Sequence, residues 1–198
     1  MATNTPISNV FEKNQYNLTD AAKKSRAWFE QQALLMMRQQ ITPNKVLKSQ
    51  PDQLKATLLP GKMYMFLYDP KYKETLPYYD RFPLVLPFRK VQGGFFGLNL
   101  HYLPYQLRIK LLDRLMIYAS NKKMDETTRL KYSWAMIDGV SKFKAAEPCV
   151  KHYLSEHLRS QFRLIPADQW ATAALLPVER FVGSSKQAIW AESSKRAR

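Results

Sequence analysis

Hydrophobic and polar positions alternate over short segments between residues 62 and 100, which predicts three strands. At 62–68, apolar and aromatic side chains alternate, so both faces of this strand should be covered. Residues 83–88 predict a second strand, and its prolines place it at a sheet edge because proline has no backbone donor. Gly93-Gly94 predicts a turn into a third strand at 95–100, in which Gly97 marks a bulge or a close backbone approach.

Apolar residues elsewhere recur every three or four positions, which predicts helices. Thr19 or Asp20 is expected to cap the first helix, Pro104 to begin another, and Asp125 to cap a third. The predicted helices lie at 21–40, 105–119, 125–144 and 149–164, with a short one around Trp170 that ends before Pro177. We therefore expect an α+β fold, in which a small three-stranded, mostly antiparallel sheet is covered by four to five helices.

The polar ends of the chain suggest three parts. Residues 1–18 are expected to form an extended N-terminal arm, 19–182 a single α+β domain, and 183–198 a basic C-terminal tail. A length of 198 residues fits one domain with appended arms. No run approaches the roughly 18 apolar residues needed to cross a bilayer, so no membrane insertion is expected. The first residues also lack the pattern of a secretory signal.

The chain is strongly basic. It has 31 Lys plus Arg against 16 Asp plus Glu, a net charge of +15. This imbalance predicts a negatively charged partner, such as nucleic acid, an acidic protein face or anionic lipid. The excess is +4 over 1–60, +3 over 61–100 and +8 over 101–198, so most of it belongs to the expected domain. That distribution favours a phosphate-contacting face over a disordered basic arm, although a basic surface with no such partner remains the alternative.

The loop at 69–81 interleaves basic residues with tyrosines, the combination that binds phosphates and stacks on bases. Phe82, directly after the loop, is a further candidate for stacking. Alternatively, the tyrosines pack against a helix or another subunit. On the helix predicted at 149–164, Arg159 and Arg163 are expected on one outer side. The candidate residues for binding nucleic acid or a partner are Lys71, Tyr72, Lys73, Tyr78, Tyr79, Arg81, Arg89, Lys90, Arg159 and Arg163.

The sequence contains no motif for catalysis, for a cofactor or for a metal. GxxxxGK[ST], a GxGxxG that opens a helix, HExxH and GxSxG are all missing. His101 is isolated and is expected to be packed or at the surface rather than to act as a base. Asp69, Glu74 and Asp80 lie in the aromatic loop, where neighbouring lysines neutralise them more simply than a metal would. Cys149 is the only cysteine, which excludes an intramolecular disulfide and a Cys-based zinc site.

Four segments together carry a resemblance to a known family. They are GKMYMFLYDPKYKETLPYYDRFPLVLPF at 61–88, GGFFGLNLHYLP at 93–104 before a Leu-rich helix, PCVKHYLSEHLRSQF at 148–162 and LPVERF at 176–181. Over residues 61–185 the chain resembles a small virion protein of T4-like contractile-tailed bacteriophages, of the DNA end protector family. The resemblance implies a virion protein, present in the host cytoplasm during assembly, that caps the ends of the packaged genome near the neck or tail. It would shield those ends from host exonuclease, and it brings no catalytic residues.

Two functions are compatible with this sequence. The first is a non-enzymatic protein that binds double-stranded DNA ends, with Lys and Arg on the phosphates and tyrosines on the terminal bases. The second is a structural or assembly subunit of the phage tail, baseplate hub or neck. In that case the aromatic and proline-rich segment contacts other head, neck or tail proteins, because Tyr and Trp enrichment is equally typical of protein interfaces.

Overall fold

An antiparallel sheet of six strands forms the centre of the fold. The computed structural model describes residues 18–48 and 51–196. Its strands are β1 Leu54–Lys55, β2 Met63–Met65, β3 Tyr79–Asp80, β4 Leu84–Val91, β5 Gly94–Asn99, β6 Val150–Leu154, β7 Phe162–Ile165 and β8 Phe181–Val182. Six of them pair in the order β1-β7-β2-β4-β5-β6, while β3 and β8 pair separately. The α+β class is confirmed, but the predicted three-stranded sheet is wrong.

The largest error concerns residues 149–164, where the predicted helix is not formed. This segment supplies β6 and β7, joined by a turn at 155–161. Tyr153 pairs with Phe95 of β5, and their rings stack with centroids 5.3 Å apart. The close approach depends on Gly94, since a Cβ there would lie 2.1 Å from the Tyr153 carbonyl oxygen. Pairing with a distant strand therefore decides the structure of a segment whose apolar spacing also fits a helix.

The strand β4 lies inside the sheet, between β2 and β5, so the predicted edge position is wrong. Pro83 precedes the strand, and Pro87 stands at a register shift between Pro87 and Arg89, where the ladder is already interrupted. A bulge of this kind lets a central strand accept a residue without a backbone donor. The close approach predicted at Gly97 is confirmed, because a Cβ there would lie 2.3 Å from Cγ1 of Val85.

Seven α-helices occur within the described residues, where four to five are predicted. They are α1 Leu18–Ala21, α2 Arg26–Arg38, α3 Pro43–Lys48, α4 Tyr105–Ala119, α5 Glu126–Ser141, α6 Trp170–Leu175 and α7 Lys186–Arg196. The first predicted helix is divided, and the cap of α2 is Ser25, whose hydroxyl accepts from the Trp28 amide. Thr19 instead donates its hydroxyl to the Asp113 carboxylate at 2.8 Å. The cap predicted at Asp125 is confirmed by its bond from the Thr128 amide.

The two faces of the sheet are buried in different ways. One face packs its Met, Leu and Ile side chains against the helices. The other, the aromatic face, consists of Tyr64, Phe66, Tyr68, Val85, Phe95, Tyr153 and Phe162, with Leu58, Leu158 and Leu164 packed on it. Its rings meet edge to face, as between Phe66 and Phe162 at 5.3 Å. Because β2 has buried residues towards both faces, the prediction that this strand is covered on both sides is confirmed.

A buried arginine connects the helical layer. Arg108, on α4, donates to the carbonyls of Leu103, Ala174 and His101 at 2.7, 3.0 and 3.1 Å. Its guanidinium also lies 5.1 Å from the ring centroid of Trp190 on α7. One side chain therefore joins two backbone segments, 101–103 and the end of α6, by donating to carbonyls that are buried between them.

Most of the expected C-terminal tail, 183–198, is helix α7, whereas nearly all of the expected arm, 1–18, lies outside the described residues. Trp190 donates its indole N–H to the His101 carbonyl, and Ser193 donates to the Tyr102 carbonyl, both at 2.8 Å. These bonds hold α7 against the domain. None of the helices in the described ranges combines the length and apolar composition that a bilayer crossing requires.

Candidate nucleic-acid interface

Two segments far apart in sequence form one exposed surface beside the aromatic face. The Asp69 amide donates to the His157 carbonyl at 3.1 Å, and His157 Nδ1 lies 2.8 Å from the Asp69 carbonyl oxygen. The Arg159 amide donates to the Leu67 carbonyl at 2.9 Å. We call the loop at 69–76 and the turn at 155–159 the Asp69 surface. Backbone hydrogen bonds fix its two halves, so its side chains start from defined positions.

The cations of the Asp69 surface are exposed and gather around one carboxylate. Lys73 Nζ lies 3.2 Å from one oxygen of Asp69, and the Arg159 guanidinium lies 4.0 Å from the other. Lys71 forms no ion pair with any residue that the structure describes. Exposed pairs such as these contribute little to stability. The three cations can therefore turn outward to a phosphate at low cost.

Among the aromatic candidates, Tyr72 is the one with an exposed ring. Its side chain is 63% exposed, and Lys71 Nζ lies 5.5 Å from its centroid. Tyr78 is half-buried and donates its hydroxyl to Glu192 at 2.8 Å; burial and this carboxylate raise its pKa to about 12. Tyr79 pairs with Val182 between β3 and β8. Phe82 is fully buried, so the expectation that it stacks on a base is wrong.

Two cations of the hairpin between β4 and β5, Lys90 and Arg89, have side chains on opposite faces of the sheet. Lys90 pairs with Phe95, so its side chain belongs to the aromatic face. The Ser155 amide donates to the Gly93 carbonyl at 2.8 Å, which holds the hairpin against the turn at 155–159. Arg89 pairs with Phe96 instead and lies 3.4 Å from Asp138 on α5. The structure therefore brings Lys90 towards the surface and separates Arg89 from it.

The two remaining arginines differ in exposure. Arg81 is exposed, and its carbonyl accepts from the Tyr68 amide at 3.0 Å, next to the start of the loop. Arg163 is fully buried in β7, where loss of solvent lowers its pKa against the opposing effect of Asp52. The predicted outer side shared by Arg159 and Arg163 is wrong, because strand geometry turns Arg163 inward. Arg163 therefore cannot contact an external phosphate.

A buried polar network that the sequence did not indicate lies around Asp80, at the end of the segment 69–81. Asp80 accepts from the Phe82 and Arg180 amides at 3.0 Å, and its other oxygen lies 2.7 Å from His101 Nδ1. Asn99 Nδ2 donates to that same oxygen at 3.2 Å. Burial alone would raise the pKa of Asp80, but the His101 ring and the two amides hold it below its usual value. The spacing of Asn99 and His101 at a strand end is the sequence signal that could have indicated it.

This network determines what the acidic loop residues and His101 can do. Asp80 is buried within it and does not join Asp69 and Glu74 as a cation site would require. Within the described ranges, no three His, Cys, Asp or Glu side chains are placed to hold a metal. His101 is packed, as expected, and is sealed from solvent. The Asp80 carboxylate therefore has a structural role: it joins the end of the segment 69–81 to His101 and to the backbone of Arg180, just before β8.

One comparison with known proteins gives a match. The model of a family described as Phage T4 terminal DNA protecting protein matches residues 6–194, nearly the whole chain. No curated protein sequence and no solved structure matches. The matched range contains both halves of the Asp69 surface and the buried network around Asp80.

Proposed function

Because the chain belongs to the phage T4 terminal DNA protecting protein family, we propose that it binds the ends of linear double-stranded DNA through the Asp69 surface. The observation that carries this proposal is one exposed aromatic ring, Tyr72, on the same surface as the exposed cations Lys71, Lys73 and Arg159, with Lys90 on the adjoining hairpin. Each cation can neutralise a backbone phosphate, which supplies affinity for any sequence and makes binding weaken with salt.

Recognition of an end depends on the ring rather than on the cations. Phosphates are present along the whole duplex, whereas the flat face of a base pair is open only at a terminus. Tyr72 can stack on that face while Lys71 and Arg159 hold the flanking backbone, since base stacking on an aromatic ring is independent of sequence. The surface then distinguishes an end from the interior of a duplex. A covered terminal base pair is also inaccessible to an exonuclease.

The proposed role requires no catalysis. The one buried acid–histidine pair, Asp80 with His101, is closed to solvent among the described residues and cannot approach a phosphodiester. Protection follows from occupancy of the end alone. The protein would act in the virion, near the neck or tail beside other head, neck or tail proteins, after assembly in the host cytoplasm.

A structural or assembly role in the tail, baseplate hub or neck is the second candidate. It is favoured by large apolar side chains left exposed on the helical layer, such as Ile117 on α4 and Phe143 after α5. Such residues mark protein contact sites when they are grouped. The two roles differ in the partner of the Asp69 surface, which would be a DNA end in the first role and another phage protein in the second.

The test is binding of a labelled linear duplex, competed by equal masses of linear or closed circular DNA, with an exonuclease digestion in parallel. We expect linear DNA to compete better and the bound duplex to resist digestion. Equal competition that collapses with salt would leave only a generic basic surface. An absence of binding at low salt would leave the protein-contact role. Deletion of 186–198 is unsuitable as a variant, because it removes the packed helix α7.

A further inference from the structure

The helices α2, α4 and α7 enclose an apolar groove of about 880 Å³ on the side of the molecule covered by helices. Phe29, Tyr105 and Trp190 lie at its base. Leu34 and Met37 line it from α2 with 59% and 55% of their surfaces exposed. An exposed apolar concavity of this kind is typical of a binding site. It is separate from the Asp69 surface and needs an occupant of its own.

The described chain begins close to this groove. The helix α1 packs on α4, where Thr19 donates its hydroxyl to Asp113. Gln106 lies seven residues before Asp113, so both are on one face of α4 and about 10 Å apart along its axis. Gln106 lines the groove. The residues before Leu18 therefore start within about two helical turns of the groove.

The sequence of those residues is suited to fill it. Ile7, Val10 and Phe11 stand at helical spacing after Thr5-Pro6, a pair typical of a helix start. Residues 12–17 can span up to roughly 20 Å when extended, which exceeds the distance required. A segment tethered this closely has an effective concentration in the millimolar range, so even weak apolar contacts suffice. The family match begins at residue 6 and includes the segment.

We propose that the N-terminal segment of this chain, through Ile7, Val10 and Phe11, docks in the groove between α2, α4 and α7. Docking covers Leu34 and Met37 with apolar side chains of the same molecule. It also connects the N-terminal segment to α7, whose Glu192 accepts the Tyr78 hydroxyl at 2.8 Å. The proposal does not depend on DNA binding.

The test is a thiol crosslink in the full-length protein with a short bifunctional maleimide. The variant Ser8→Cys with Gln187→Cys joins the segment to an exposed groove residue on α7. The control, Ser8→Cys with Lys122→Cys, places the second thiol at an exposed position nine residues after Asp113, past the end of α4 that is remote from the groove. Cys149 does not compete, because it is buried and burial raises its pKa to about 12.

We expect the intramolecular crosslink to form at least tenfold faster in the Gln187→Cys double variant than in the Lys122→Cys control. Adding Val10→Asp should remove the difference, whereas Val10→Ile should retain it. Equal rates at the two positions would mean that the segment samples both without docking, and would overturn the proposal. Crosslinked dimers at the groove position alone would also overturn it, since a second copy would then be the occupant.

Discussion

Removal of three exposed cations from the Asp69 surface and its hairpin tests the DNA interface most directly. The variant combines Lys71→Ala, Lys90→Ala and Arg159→Gln, because the Arg159 guanidinium also donates to the Glu156 carbonyl and glutamine can keep a donor there. Each lost phosphate contact lowers the slope of log affinity against log salt by about 0.9, so three lower it by about 2.7. Between 50 and 200 mM salt, the wild-type protein should then lose about 40-fold more affinity than the variant.

The assay is equilibrium binding to a linear duplex across a salt series, with a control that removes equal charge elsewhere. Lys122→Ala, Lys123→Ala and Lys131→Ala lie on or before α5, which packs on the opposite face of the sheet from the aromatic face. We expect this control to leave the slope nearly unchanged. Equal reductions in both triple variants, or none in the first, would refute the assignment of phosphate contacts to the Asp69 surface.

The ion pair within the surface adds a finer expectation. Lys73 lies 3.2 Å from Asp69, so part of its charge is already neutralised and Lys73→Ala should lower the slope by less than Lys71→Ala. Conversely, Asp69→Asn should increase affinity, since it frees Lys73 and Arg159 and removes a charge that repels phosphate. A decrease in affinity would mean that Asp69 is needed to position the cations.

Three further predictions concern the ring, the network and the glycines. Tyr72→Ala should reduce the preference for linear over closed circular DNA about fivefold in the competition assay, the effect of about 1 kcal/mol of stacking, without changing the salt slope. The pKa of Asp80 is lower in the folded protein than in the unfolded chain, where it is near 4. The ionised carboxylate therefore stabilises the fold fully above about pH 4, and this contribution is lost as the pH falls through the pKa of the folded state. Asp80→Asn should therefore lower the free energy of unfolding by about 2 kcal/mol at pH 7. In urea titrations at several pH values, the variant should also lose less stability at acidic pH than the wild-type protein. In thermal melts, Gly94→Ala should destabilise strongly through the Tyr153 carbonyl, whereas Gly139→Ala, with open space on α5, should stabilise by about 1 kcal/mol.

The sequence predicts those elements whose pattern is set locally. The strands β2, β4 and β5 follow from alternation between clear turns, and α4 and α5 follow from their apolar stripes. The strands β6 and β7 are missed because apolar residues at 150, 154 and 158 fit a helical period. What decides against the helix is the partner strand β5, some 50 residues earlier, and that contact leaves no local trace.

The candidate site likewise combines features that the local sequence predicts with features that depend on distant contacts. Composition identifies the loop at 69–81 as basic and aromatic, but it cannot tell which of its tyrosines are exposed. Tyr78 is removed from the surface by Glu192, which lies 114 positions later in the chain. Arg163 is buried because a strand, not a helix, carries it. The joining of Arg159 to the loop follows from backbone bonds across the turn, which spacing alone does not predict.

The order of the strands also determines which two strands form the edges of the six-stranded sheet. One edge is β1, which has only two residues, and the other is β6, where Lys151 and His152 interrupt the apolar side chains. Short or charged edge strands resist pairing with another chain. The described sheet therefore offers a poor template for intermolecular strand addition, despite its large aromatic content. We expect the purified protein to tolerate high concentration without forming β-aggregates, as thioflavin fluorescence would show.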